Sequence, residues 1–179
     1  MKKLICFFLL SLFLGCSIPK ENLVEFVTED FFLLTPVALT RNTEIEQQSM
    51  DVIKKTYGQS IDVKLYTGSG NDCMLAVSST NYHSKLTKDN LTNGNVGNIL
   101  NIDKTQPIED IISHIKYHTE NNILYSVLEY SLIKKGYYIL VNSKSCIVNE
   151  QIHSVLITCK DSQENKALSS RTMESFWCK

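Results

Sequence analysis

The sequence predicts an α+β fold in which helices pack on an antiparallel β-sheet. Three observations carry the prediction. Residues 123–160 hold three consecutive strand candidates separated by short turns, a second strand pair brackets Gly68–Asp72, and segments with helix signals flank both groups.

In chain order, Phe31–Thr35 is a short apolar run ahead of Pro36 and reads as a first strand that ends where proline removes a donor. Residues 43–57 read as a helix. Thr43 and Glu46 have capping-box spacing, Ile45, Val52 and Ile53 share a face, Lys54 and Lys55 occupy the last turn, and Gly58 is placed to stop it. Ile61, Val63 and Leu65 alternate with polar residues, and Gly68–Asp72 turns the chain toward Cys73, Leu75 and Val77, which predicts a hairpin with one buried face. From His83 to Gln106 the chain is rich in Asn, Thr, Lys and Gly without a durable period, so a long surface loop is expected, and with it a binding surface.

Ile108, Ile111, Ile112 and Ile115 recur at helical spacing after Pro107, which suits a first turn. Beyond Asn121-Asn122, the strand candidates are Ile123–Ile133, Tyr137–Val148 and Ile152–Lys160, joined at Lys134-Lys135-Gly136 and Asn149-Glu150-Gln151. They predict an antiparallel meander. Asp161 or Ser162 caps a closing helix whose Leu168, Met173, Phe176 and Trp177 fall within half of the wheel and are expected to pack on the sheet.

The N-terminus has its own signature. Lys2 and Lys3 precede a nearly unbroken apolar run, Leu4–Leu14. A spanning helix needs about 20 apolar residues for roughly 30 Å of hydrocarbon, whereas an export signal needs only about 7 to 15. The run ends in Phe13-Leu14-Gly15-Cys16. This resembles the lipobox of bacterial lipoproteins, with Phe13 where leucine is usual. The resemblance implies cleavage before Cys16, acylation of its sulfur and attachment to a membrane. Ser17 follows the cysteine, where an Asp typically retains such proteins at the inner membrane. The expected location is therefore the outer membrane, facing the periplasm. The expected organisation is a signal peptide over 1–15, a tether over 16–22 and a single α+β domain over 23–179.

Removing the first 15 residues leaves 16 basic and 19 acidic residues, a formal charge of −3. The basic residues are scattered in sequence, which argues against nucleic acid and leaves the lipid as the expected membrane attachment. Cys73, Cys146, Cys159 and Cys178 remain beside the acylated cysteine. In an oxidising compartment they are candidates for one or two disulfides, and spacing leaves all three pairings open.

The element order, with Phe31–Pro36 opening, Gly136-Tyr137-Tyr138-Ile139-Leu140-Val141 leading into a strand and Ser170–Trp177 closing, resembles the PsbP-like sandwich group. The resemblance implies protein binding rather than catalysis, and no catalytic residue carries over.

Chemical motifs are sparse. His114 and His118 are four apart on the expected helix and could lean toward one ion, but Ile115 stands where a zinc protease carries its glutamate. Asp89–Gly94 has part of a calcium-loop pattern, yet Leu91 and Leu100 occupy ligand positions. Gly68-Ser69-Gly70 reads as turn chemistry rather than a phosphate cradle or a nucleophile elbow. No metal or cofactor is called for. The expectation is a non-enzymatic envelope lipoprotein that binds a protein partner as an accessory or inhibitory factor. A small metal-dependent hydrolase and a ligand carrier are the alternatives.

Overall fold

The computed structural model describes residues 23–57, 60–70 and 72–179. The signal run, Cys16, the tether and Gly58 lie outside the described residues. The elements in order are β1 (Val24–Val27), β2 (Phe31–Thr35), β3 (Thr40–Arg41), α1 (Thr43–Tyr57), β4 (Asp62–Gly70), β5 (Cys73–Asn81), α2 (Lys88–Ile102), α3 (Ile108–Ser113), β6 (Ile115–Glu120), β7 (Ile123–Lys134), β8 (Tyr137–Val148), β9 (Gln151–Lys160), α4 (Gln163–Ser175) and β10 (Trp177–Cys178). Among the described residues, β3-β4-β5-β9-β8-β7-β6 form a seven-stranded sheet and β1-β2-β10 a three-stranded one. The described pairings are antiparallel.

The meander follows from its turns. Asn121-Asn122, Lys135-Gly136 and Asn149-Glu150 all have positive φ. Paired positive φ at a two-residue connection is the type I′ geometry that matches strand twist, so each turn sets the register of the strands it joins. Lys134 thus faces Tyr137, and Val148 faces Gln151.

Alternation along the strands then divides the apolar residues between two cores. On one face Leu75, Val77, Val155, Ile157 and Tyr125 pack under Phe31 and Leu33 of β2 and under Leu168, Met173 and Phe176 of the α4 region. On the other, Leu128, Tyr130, Leu132 and Val141 meet Ile99 of α2, Ile111 of α3 and Ile115. Polar side chains lock both helical layers. Asn142 Nδ2 donates to Ser169 Oγ at 2.6 Å, and Asn95 Nδ2 donates to Ser126 Oγ at 3.0 Å.

Helix α1 closes an edge of the large sheet. Asn42 caps it by accepting from the Ile45 N–H, and Glu46 turns inward, where its carboxylate accepts from the Leu65 N–H at 2.8 Å and from Arg41 Nε at 2.9 Å. The Asn42 N–H donates in turn to the Leu65 carbonyl. An exposed edge of β4 is thereby satisfied. The expected Thr43–Glu46 box is replaced by this arrangement because Glu46 bonds the sheet rather than the helix start.

Four further expectations change. The loop expected over His83–Gln106 contains the fifteen-residue helix α2. Leu91, Asn95 and Ile99 are buried at four-residue spacing, and the polar Asn95 interrupts the apolar period that would have announced the helix. The helix after Pro107 stops at Ser113. Ile115 instead opens β6, whose backbone pairs with β7 from Ile115↔Leu128 onward, while its side chain keeps its place beside Ile111. The first described strand is β1 rather than β2. Finally, α4 ends at Ser175, and Trp177 leaves the helix to pair with Phe32.

Candidate functional site

Each face of the seven-stranded sheet is covered over part of its width, and the uncovered parts are diagonally opposed. On the α2 face, β7 and β8 are roofed by α2 and α3, but β4, β5 and β9 are open beyond the end of α2. Register places Thr67, Ala76 and Leu156 in one row there, and Ser69, Met74 and Thr158 in the next. With Ala38, Ile139 and Ile102 they line a groove of about 830 Å³. Its floor is apolar, its rim carries Thr and Ser hydroxyls, and Met74 stands 69% exposed in it. Lys134 closes one end, donating to the Ile102 carbonyl at 2.6 Å. Ala38 and Thr40 reach the edge of the groove, and Gly68 lets the chain at Ala38 pass close to β4, since a Cβ there would lie 2.7 Å from the Ala38 carbonyl oxygen.

On the opposite face, a smaller groove of about 480 Å³ lies between α4 and the upper parts of β7 and β8. It is lined by Glu129, Ser131, Asn142, Lys144, Lys166 and Glu174, among others. Burial pushes the Lys144 ammonium below the usual lysine range, with Glu120 and Glu174 opposing that shift. Lys144 is also occupied structurally, donating to the Phe176 and Met173 carbonyls at 2.8 and 3.3 Å, where it caps the end of α4.

The histidines singled out in the sequence are separated. His114 follows α3 and packs edge-on against Tyr130 on the α2 face, whereas His118 lies in β6 and stacks on Tyr125, which belongs to the α4 face. The strand between them turns their shared helical face into opposite sides of a sheet. Among the described residues, no group of three or more His, Cys, Asp or Glu side chains is placed to hold a metal. His83 bonds Asp62 at the surface, and His153 is fully buried with Nδ1 2.9 Å from Ser79 Oγ. Burial pushes the His153 imidazole down, with Asp30 working against the shift. The Tyr130 hydroxyl donates to Asp110 at 2.6 Å and lies 3.0 Å from Gln106 Oε1, and burial, aided by Asp110, pushes its phenol up to about 12.

The four cysteines form two pairs, Cys73–Cys159 and Cys146–Cys178. The first pair sits directly across the β5–β9 ladder, and the second ties β10 to β8. Residues 89–94, the partial calcium pattern, lie on α2 with Leu91 buried in its packed face. Gly68 and Ser69 belong to β4 rather than to a turn, so Ser69 forms part of the groove rim. The groove itself was not legible in the sequence, because it exists only where α2 ends short of three strands from distant parts of the chain.

No family model matches the chain, and no curated protein matches it. Among solved structures, the chain is similar to cyanobacterial PsbP (CyanoP) from Synechocystis sp. PCC 6803, with a TM-score of 0.54 and 10% identity over 91% of this chain and 96% of that one. The fold is that of the PsbP-like α+β sandwich. At this identity the likeness defines architecture alone; the expected α+β class is the one found, although α2 stands where the sequence suggested a long loop and β1, β6 and β10 are additional strands.

Proposed function

We propose that the chain is an extracytoplasmic lipoprotein, held to a membrane through acylated Cys16, that acts without catalysis by binding a segment of a protein partner in the groove on the α2 face. The carrying observation is the open apolar floor of that groove, where Ala76, Ile139 and Leu156 lie beside the exposed Met74, together with Thr and Ser hydroxyls in the lining. Apolar area with a hydrogen-bonding margin suits an extended peptide or helix face better than a charged ligand. The lipobox supports the anchor, and an oxidising compartment is consistent with the paired cysteines. Acylation would concentrate the domain near partners on the same membrane. The outer membrane, facing the periplasm, is the favoured location because Ser17 follows the lipidated cysteine.

A photo-crosslinker placed at Met74 in the native envelope tests this reading. A discrete protein adduct that disappears with Leu156→Asp, and is absent from a crosslinker at Gln48 on α1, supports it. Adducts that are equal at both positions, or unaffected by Leu156→Asp, overturn it. The groove volume also lies within the range of small-molecule sites, so a co-purifying apolar ligand in place of a protein adduct would favour the carrier reading.

A further inference from the structure

Apart from Lys134, whose side chain closes one end of the groove, the tip of the β7–β8 ribbon is the most conspicuous feature the groove does not use. Residues 133–138 are all exposed, and they include Ile133, Tyr137 and Tyr138, at 56%, 60% and 61%. Lys134, Lys135 and Gly136 complete the tip. β9 ends at Lys160 opposite Ile139, and the Asp161 N–H still donates to the Tyr138 carbonyl at 2.9 Å, so the Lys134↔Tyr137 pair and its turn extend past the neighbouring strand. A tight I′ turn through Lys135 and Gly136 holds this apolar-aromatic end rigid.

Its position relative to the anchor gives the tip its meaning. Val24 opens β1 opposite Thr35, whose hydroxyl donates to the Val37 carbonyl at 2.7 Å and lies 3.2 Å from the Val24 carbonyl. Val37 in turn abuts Gly70, where a Cβ would come within 2.8 Å of Val37 Cγ1. Gly70, Cys73, Cys159 and Leu140 lie side by side across four strands. The start of the domain and the hairpin tip are therefore at the same end of the large sheet, with β4 and β8 about 14 Å apart at three strand spacings. Leu23 is seven residues beyond Cys16, and such a segment reaches at most about 24 Å. A bilayer holding the acyl chains cannot be far from this end.

We infer that the hairpin tip Ile133–Tyr138 is a second membrane contact, resting in the interfacial layer of the bilayer that carries the lipid on Cys16 and fixing the orientation of the domain upon it. The inference rests on the anchor reading above. Tyrosine suits this layer because its ring is apolar and its hydroxyl is wet, and lysine stems lie along the surface while their ammonium groups remain in water. The charges around the tip are mixed. Lys160 lies over the Tyr137 ring at 5.8 Å, Asp103 faces Lys134, and Asp161 pairs with Lys166 at 2.7 Å. Zwitterionic lipid is thus sufficient, and the contact is driven by the aromatic and aliphatic side chains. Oriented this way, the groove on the α2 face opens to the side of the domain, with its Lys134 end next to the membrane.

The test uses the mature acylated protein carrying Tyr138→Trp, reconstituted in phosphatidylcholine vesicles with plain or brominated acyl chains. Trp177 in the unsubstituted protein is the internal reference, because it pairs with Phe32, about 10 Å farther from this end along β2. The expected result is a blue shift and a loss of emission from the new tryptophan in brominated vesicles, with Trp177 nearly unchanged. Adding Ile133→Ser and Tyr137→Ser is expected to abolish the quenching while leaving the far-UV circular dichroism intact. Protein that co-floats with vesicles but shows no quenching at position 138, or equal quenching of Trp177, overturns this inference alone, whatever soluble protein then binds the tip. Protein that does not co-float overturns the anchor reading and this inference with it.

Discussion

Replacing Cys73 and Cys159 together by serine removes a cross-link that joins residues 86 positions apart, at a point where β5 and β9 are already paired. The native strands remain neighbours through their hydrogen-bonded ladder, so the main consequence falls on the unfolded chain, which regains the freedom of a long loop. With n = 86, the chain-entropy relation gives about 4.6 kcal/mol at 25 °C. For a domain of this size each kcal/mol corresponds to about 2–4 °C, so the melting temperature should fall by roughly 9–18 °C. The same relation applied to the separation of 32 between Cys146 and Cys178 gives about 3.7 kcal/mol, a smaller loss. The assay is thermal unfolding followed by circular dichroism on oxidised protein, with each pair removed separately and the surviving linkage verified by peptide mapping without reductant. A Cys73→Ser/Cys159→Ser variant that melts with the parent, or a larger loss from the shorter loop, would refute the loop-entropy reasoning.

Three more predictions concern the buried His153 and Tyr130 and the close approach at Gly68. His153 is held neutral by burial, so below its ordinary value of 6.5 the unfolded state takes up a proton that the folded state refuses. Stability should be retained above about pH 6.5 and decline on acidification, by at most about 1.4 kcal/mol per pH unit, and His153→Phe should flatten that part of a denaturant-midpoint profile. Tyr130 has the opposite sign at the alkaline end. Its phenol stays protonated up to about 12 in the fold, whereas the unfolded chain ionises near 10. Stability should therefore drop as pH rises through that interval, and ultraviolet titration should show a late-ionising tyrosine that Tyr130→Phe removes. Gly68→Ala places a methyl 2.7 Å from the Ala38 carbonyl oxygen, a backbone atom that cannot swing aside. A destabilisation of about 1–3 kcal/mol in urea unfolding is expected, whereas Gly94→Ala on α2, with nothing within 4 Å, should be neutral or stabilising.

The parts of the fold written in local chemistry were legible from the sequence. The I′ turns and the alternation they separate place β7, β8 and β9 within a residue or so of their observed bounds. Ser162 caps α4 by accepting from the Asn165 N–H, as its position before an amphipathic run suggests. Where tertiary contacts override local pattern, sequence reasoning fails in identifiable ways. Asn95 replaces an apolar residue on the buried side of α2 because it bonds Ser126 in the sheet beneath, and that one polar substitution makes a helix read as a loop. The isoleucine series at 108–115 has helical spacing, yet Ile115 is recruited to β6 because Leu128 and the β7 backbone offer it a sheet partner. Glu46 looks like half of a capping box until the unpaired Leu65 N–H draws it to the sheet edge. The groove and the hairpin tip depend on which strands end early and which run on. That information resides in the register of segments up to 86 residues apart, which periodicity does not carry.

Everything proposed for the surface depends on the domain being tethered beside a bilayer, and intact-mass and N-terminal peptide measurement of the protein recovered from its native membrane tests that most directly. The expected chain begins at Cys16 and carries the added mass of acyl chains on that residue. A chain that still begins at Met1, or a Cys16 bearing no lipid, would contradict the tethering.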